Sequence, residues 1–365
     1  MRTRLLTVLI SSLLLLANLL GESRFKATNR DGYKIAVPGV ELAFPEDHGS
    51  HPDFKTEWWY ITGHLDNKKR DLGFQITFFR SANRDSDAQD LEQVYMAHAA
   101  IVDKSTGKFI HEERLNSADW NADAKTGELS AYNGNWYLRM IDSDTETMKT
   151  RFSLEGFGAL ELVLSPAKDK VLFGENGFSK KGNEVGAASY YITFPRLNVS
   201  GFFTDSGEKE PLEGVAWMDH EFSSSQLTEE QIGWNWSSII LDDGTEIMAY
   251  VMRREDGQAD PNSKLTLIDK DGSKTELSSE QFTWDPERSW ESQSSTARYP
   301  VEYEIRFDSK TIIVRPVTDD QELRGRIGDF VYWEGAGTVF DESGQKIGKA
   351  YTELTGYSES LYGKF

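Results

Sequence analysis

The chain has 365 residues, of which 38% are hydrophobic and 12% aromatic, with a formal net charge of −20. This length suits two domains, the apolar content excludes global disorder, and the charge argues against nucleic acid or anionic lipid as a partner. The absence of cysteine excludes disulfides, thiolate metal sites, cysteine nucleophiles and a lipoprotein anchor.

In chain order, residues 1–23 place Arg2 and Arg4 ahead of an apolar run from Leu5 to Leu20, with polar sequence from Gly21. This pattern reads as a secretory signal peptide. The alternative is a short uncleaved anchor, although the run is slightly short for a bilayer span. The mature chain is therefore expected in the periplasm or outside the cell, with no other segment able to span a bilayer as a helix. Next comes DHGSHPD, where His48 and His51, with Asp47 and Asp53, offer metal-ligand chemistry. Gly49, Ser50 and Pro52 instead favour a hydrogen-bonded loop that positions the strand after it.

That strand opens with Glu57-Trp58-Trp59-Tyr60-Ile61. Alternation puts Trp58 and Tyr60 on one face, and Glu57, Trp59 and Ile61 on the other. One reading makes both indoles structural, one plugging a barrel and one covering its outside or an interface. The other points Tyr60 or Glu57 into a cavity, where a carboxyl group against tryptophan becomes a proton donor. Leu72, Phe74, Ile76 and Phe78 alternate with polar or small residues and predict a further half-buried strand. His98 lies in the strand-like YMAHAAIVD, a setting typical of a satisfied interior polar group.

In GVAWMDHEF, Ala216, Met218, His220 and Phe222 share one face. That face is apolar except for His220, which makes His220 the best acid–base candidate; a structural histidine is the competing reading. Val215, Trp217, Asp219 and Glu221 share the other face, which is expected to meet solvent or a second domain. Ser225 opens a polar stretch in which Gln226–Gln231 could form one helical turn. Val301, Tyr303, Ile305 and Phe307 form another alternating run, and Asp243-Gly244, Asp271-Gly272 and Ser343-Gly344 mark hairpin turns. Many short strands joined by such turns indicate antiparallel barrels or sandwiches.

The chain also resembles itself. Residues 58–67, WWYITGHLDN, overlie residues 234–243, WNWSSIILDD, and each copy turns into an apolar strand ending in arginine, LGFQITFFR or EIMAYVMR. Two copies of one β-unit are implied, as residues 24–225 and 226–365. No G-x-S-x-G elbow, phosphate loop or dinucleotide fingerprint is present. Two glycosylation sequons, at Asn198 and Asn235, are of the kind that arises by chance.

Together FPEDHGSHPDFKTEWWYITGHL, YMAHAAIVD, GVAWMDHEF, GWNWSSIILDDGTEIMAYVMR and YWEGAGTVFDESGQKIGKAYTELTGY resemble the AttH-type family, which includes carotenoid 1,2-hydratases and proteins labelled secreted hydrolases. The resemblance implies an all-β chain of two tandem lipocalin-like antiparallel barrels. It also implies acid–base groups in an H-x-W pair and a later Y-x-D pair. Here His220 and Tyr250 match, while Phe222 and Met252 replace the tryptophan and the aspartate.

Three functions are in play. The first is a hydratase or isomerase acting on an apolar molecule, with His220 as acid or base and Tyr60, Tyr250 and Glu57 polarising or positioning. The second is a carrier of hydrophobic ligands, and the third is a hydrolase. Trp58, Tyr60, His98, Phe222 and Trp236 are the expected ligand contacts. The expected partner is a hydrophobic small molecule, and no cofactor or metal is expected.

Overall fold

The computed structural model describes residues 24–83, 92–118, 120–325 and 330–363. The expected signal segment lies outside them. Among the described residues the chain is strands and turns, apart from one 3-10 turn at Glu46–His48, and no helix is long and apolar enough to cross a membrane.

The first sheet takes β1 (Thr56–Asp66), β2 (Asp71–Asn83), β3 (Glu92–Asp103), β4 (Lys108–Ser117), β5 (Ala122–Ala124), β6 (Ser130–Asn133), β7 (Trp136–Asp142), β8 (Thr147–Leu154), β9 (Gly158–Pro166), β10 (Val171–Leu172), β11 (Phe178–Lys180), β12 (Ala188–Asp205) and β13 (Glu208–Ser223). Its order is β4-β3-β2-β1-β13-β12-β9-β8-β7-β6-β5. The two edges nearly close a barrel. A bridge joins Ala118 to Ala122, and Arg114 and Asn116 donate to the Asn133 carbonyl (3.0 Å) and side-chain oxygen (2.6 Å). Trp59, Phe74, Trp136 and Phe152 fill the interior. On β12 the register shifts between Phe194 and Leu197, around Pro195, which has no N–H to give to a ladder. Before the shift β12 pairs with β10 and β11; after it, with β9.

The second sheet takes β14 (Gln231–Leu241), β15 (Glu246–Arg254), β16 (Lys264–Ile268), β17 (Lys274–Ser278), β18 (Phe282–Glu291), β19 (Arg298–Phe307), β20 (Lys310–Pro316), β21 (Glu322–Arg324), β22 (Val331–Asp341) and β23 (Lys346–Leu354). It curls as a half-barrel in the order β17-β16-β15-β14-β23-β22-β20-β19-β18, around Ile239, Leu265, Tyr303 and Val339. All strand pairs are antiparallel, and the expected tandem lipocalin-like architecture is present. Gly244, Gly272 and Gly344 sit in the hairpin turns with positive φ, which glycine adopts without steric cost.

The repeat occupies equivalent places. β1 pairs with β2 and with the last strand of its sheet, β13; β14 pairs with β15 and with the last strand of its own, β23. One expectation fails. Gln226–Gln231 forms no helical turn; it is an extended linker with a turn at Glu229–Glu230. Its ends are fixed by two strands of different sheets, and the Gln231 amide donates to the Lys181 carbonyl at 2.9 Å, which holds it stretched.

The sheets share a third core. Tyr60, Tyr191 and Trp217 of the first pack with Trp236, Met248 and Tyr250 of the second. A buried ion cluster closes one side, where the fully buried Glu246 takes Lys168 at 2.6 Å and also Arg196.

Candidate functional site

Two polar clusters are built on opposite faces of the same strands. The first lies inside the first barrel. Glu57 faces Arg80 across the β1–β2 ladder, and Trp59 faces His220 across β1–β13. The Glu57 carboxylate accepts hydrogen bonds from His220 Nε2 at 2.9 Å, His51 Nδ1 at 2.8 Å, Ser50 Oγ at 2.9 Å and Arg80 Nε at 2.9 Å. His51 Nε2 reaches Asp47 at 3.0 Å, and Phe222 stacks on the His51 ring at 3.6 Å. Burial would raise the Glu57 pKa, but bonds from His220 and His51 and the charges of His51 and Arg80 outweigh it and hold the group well below the carboxylate range. Burial likewise opposes the charge on His51, yet its two carboxylate partners raise its pKa. His220 behaves differently: burial lowers it to about 4 against the pull of Glu57, so it stays neutral.

His51, Glu57 and His220 present donor atoms within 4.8 Å of one another, a spacing that a metal ion could use. Each of those atoms is already hydrogen-bonded, and the Arg80 charge sits against the same carboxylate. The cluster reads as a hydrogen-bonded anchor rather than a metal centre. It fixes the loop ahead of β1, with the Trp59 indole donating to the His48 carbonyl at 3.1 Å.

The second cluster lines a cavity between the sheets. Its volume, measured as the space open to the centre of a water molecule, is about 70 Å³. The repeat builds it. Trp58 and Tyr60 of β1 and their counterparts Trp234 and Trp236 of β14 all face it, and Tyr60 meets Trp236 edge to face at 5.1 Å. On the last strand of each unit a carboxylate lies opposite the second aromatic: Asp219 opposite Tyr60, Glu353 opposite Trp236. Both acids line the cavity.

Their surroundings differ. Asp219 accepts from Thr193 Oγ1 at 2.6 Å, Tyr191 OH at 2.7 Å and Trp217 Nε1 at 2.8 Å. Glu353 accepts from Trp234 Nε1 at 2.9 Å. Burial pushes both up to about 7 against these bonds; the negative charge of Glu221 adds to it for Asp219, and those of Asp219 and Glu221 for Glu353. On the same wall Lys181 pairs with Glu221 at 3.2 Å, its ammonium 4.3 Å from the Tyr250 ring centre, and burial lowers its pKa. Tyr60 donates to the buried Glu334. Tyr332 bonds His98 Nδ1 at 2.7 Å, and His98 Nε2 lies 3.3 Å from Glu113.

The sequence-derived candidates divide between the two clusters. His220 and Glu57 belong to the first, and Phe222, which packs with Phe25, Phe54 and Tyr190, reaches it by stacking on His51. Tyr250, Trp58, Tyr60, His98 and Trp236 line the inter-sheet cavity. Sequence reasoning did not single out Asp219, Glu353, Lys181 and Tyr191. Asp219 and Glu353 had a signal in the repeat, once each unit's last strand is laid against its first. Lys181 had none, because a lysine next to another lysine ahead of a glycine loop has the look of solvent-exposed charge. The described partners of His48, His51, His64, His98 and His220 are carboxylates, a tyrosine and a backbone carbonyl, not serine hydroxyls.

No curated protein matches the chain. Among solved structures, one assigned as AttH from Nitrosomonas europaea is 38% identical, with a TM-score of 0.79, over 88% of this chain and 98% of that one. Kievitone hydratase from Nectria haematococca shares the fold at 14% identity and a TM-score of 0.64, over 92% and 97% of the two chains. CghA, solved with Sch210972, shares it at 13% identity and a TM-score of 0.52, over 84% and 89%. Residues 35–357 match the AttH-like family. With nearly the whole described chain inside that match, the protein belongs to the AttH-like family.

Proposed function

We propose that the protein binds an apolar small molecule in the inter-sheet cavity and adds water across one of its double bonds. The observation that carries this reading is the pair of carboxyl groups, Asp219 and Glu353, set at equivalent places of the two repeats and facing one aromatic-walled space. Repulsion between them favours a single shared proton near neutrality. Three hydrogen-bond donors surround Asp219 and one serves Glu353, so the proton resides on Glu353. Glu353 gives it to a carbon of the double bond, and a carbocation forms. The faces of Trp58, Trp234 and Trp236 stabilise that cation. Water adds, Asp219 takes the proton it releases, and exchange with solvent resets the pair. His220 and Glu57 position the strands that carry Tyr60 and Asp219 and do not touch the ligand. Export, read from residues 1–23, is part of the proposal.

The test uses an acyclic isoprenoid alkene in water labelled with heavy oxygen. The wild type should yield labelled alcohol, with a bell-shaped pH profile centred near neutrality. Glu353→Gln should slow labelling by about 10²-fold or more, while the alkene still quenches the cavity tryptophans. Quenching without labelled product in the wild type would leave the carrier reading, which the aromatic walls also suit.

A further inference from the structure

The linker between the sheets carries a polar group that the fold does not use. Gln226 is 4% exposed and lines the cavity, and its side-chain nitrogen has no hydrogen-bond partner. Buried amides are nearly always bonded, because leaving one unpaired forfeits its hydration with no return. The neighbouring glutamine shows the contrast: the Gln231 amide donates to the Lys181 carbonyl and accepts from the Thr228 N–H, each at 2.9 Å. The linker is pinned at Thr228 and Gln231, and the Gln226 side chain is left lining the cavity. The same stretch packs Thr228 against Gly182, which sets Gln226 on the wall that carries Lys181 and Glu221.

Gln226 also breaks the symmetry of the site. The aromatics and the two carboxyl groups come in equivalent pairs; the linker occurs once. A ligand that met only the paired aromatics would find similar apolar walls at either end, with nothing polar to fix its direction. We infer that Gln226 is the specificity group of the cavity, and that the ligand is an apolar molecule with one oxygen function, a hydroxyl or carbonyl, docked at its carboxamide. This rests on the proposed binding role and deepens it. The oxygen end lies toward the linker, Lys181 and Glu221. The hydrocarbon runs past Trp58, Phe79, Met96 and Phe330, which line the rest of the space. Orientation by Gln226 then determines which carbon of the ligand meets Glu353.

Tryptophan quenching tests the assignment, with geraniol and the hydrocarbon myrcene as probes. The wild type should bind geraniol at least about 10-fold more tightly than myrcene. Gln226→Met, close in volume, should abolish that preference and leave myrcene binding within about twofold. Gln226→Ala provides a second replacement should the first fail to fold. Equal binding of both probes by the wild type, or a preference that survives in the variants, overturns the role of Gln226 and leaves the cavity reading intact. No quenching by either probe overturns both.

Discussion

At the residue scale, the hydrogen-bond donors and charges around Glu57 decide what a change there does. Glu57→Gln leaves Arg80, whose side chain is fully buried, without its counter-ion. Removing one partner of a buried pair costs about 3–5 kcal/mol. Urea unfolding should show a loss of that order, with the cavity tryptophans still able to bind a ligand in whatever fraction remains folded. The titrations of Asp219 and His220 oppose each other. The folded pKa of Asp219 is raised from 3.8 to about 7, so its contribution is complete below pH ~4 and is lost as pH rises to ~7. His220 is lowered from 6.5 to about 4, so its contribution is present above pH ~6.5 and is lost as pH falls toward ~4. Asp219→Asn should remove the first effect and keep the second. Between pH 4 and 7 the stability of the variant should then rise relative to the wild type, by up to about 4 kcal/mol at 1.36 kcal/mol per pH unit. Thermal unfolding across that range measures it, and parallel profiles would show that Asp219 does not titrate there.

At the element scale, β1 is a wall with two sides. Trp59 points into the barrel with 1% of its surface exposed, stacked on His220 at 4.9 Å. Trp58, one residue earlier, lines the cavity. Trp59→Ala should cost about 3–5 kcal/mol by opening a void in a packed core. Trp58→Ala should cost less than half of that in the same unfolding experiment, yet weaken probe binding and remove part of the fluorescence change. A result in the reverse order would mean that the face assignment of β1 is wrong. The alternation was legible in the sequence, since a strand's period of two follows from backbone geometry. Which face is barrel and which is cavity was not legible, because both are apolar and both are buried.

At the scale of the whole molecule, the third core makes the two sheets one unit. Gly73 of β2 packs directly on the second sheet: a Cβ built there would lie 2.4 Å from the Ala336 Cβ. Gly73→Val should force the sheets apart, lower stability by roughly 1–3 kcal/mol as overpacking does, and loosen the cavity tryptophans toward solvent. Glu246→Ala strips the counter-ion from Lys168 and Arg196, a loss of similar kind to that at Glu57. Because Tyr60, Tyr191 and Trp217 would be exposed by separation, unfolding should remain a single transition. Two resolved transitions in calorimetry would show that the sheets melt independently.

What the sequence by itself determined was local and repetitive. Alternating apolar residues specified strands, glycine turns specified hairpins, and the copied WWY and WNW segments specified two equivalent units, because each of these is written in neighbouring residues. The tertiary structure alone decided the chemistry of the site. Glu57 and His220 stand 163 residues apart and meet across β1 and β13; Asp219 and Glu353 are brought to one cavity by two strands from different sheets. The pKa of each depends on how much water the packing removes and which charges it brings near, and neither quantity belongs to a residue or to its neighbours in sequence.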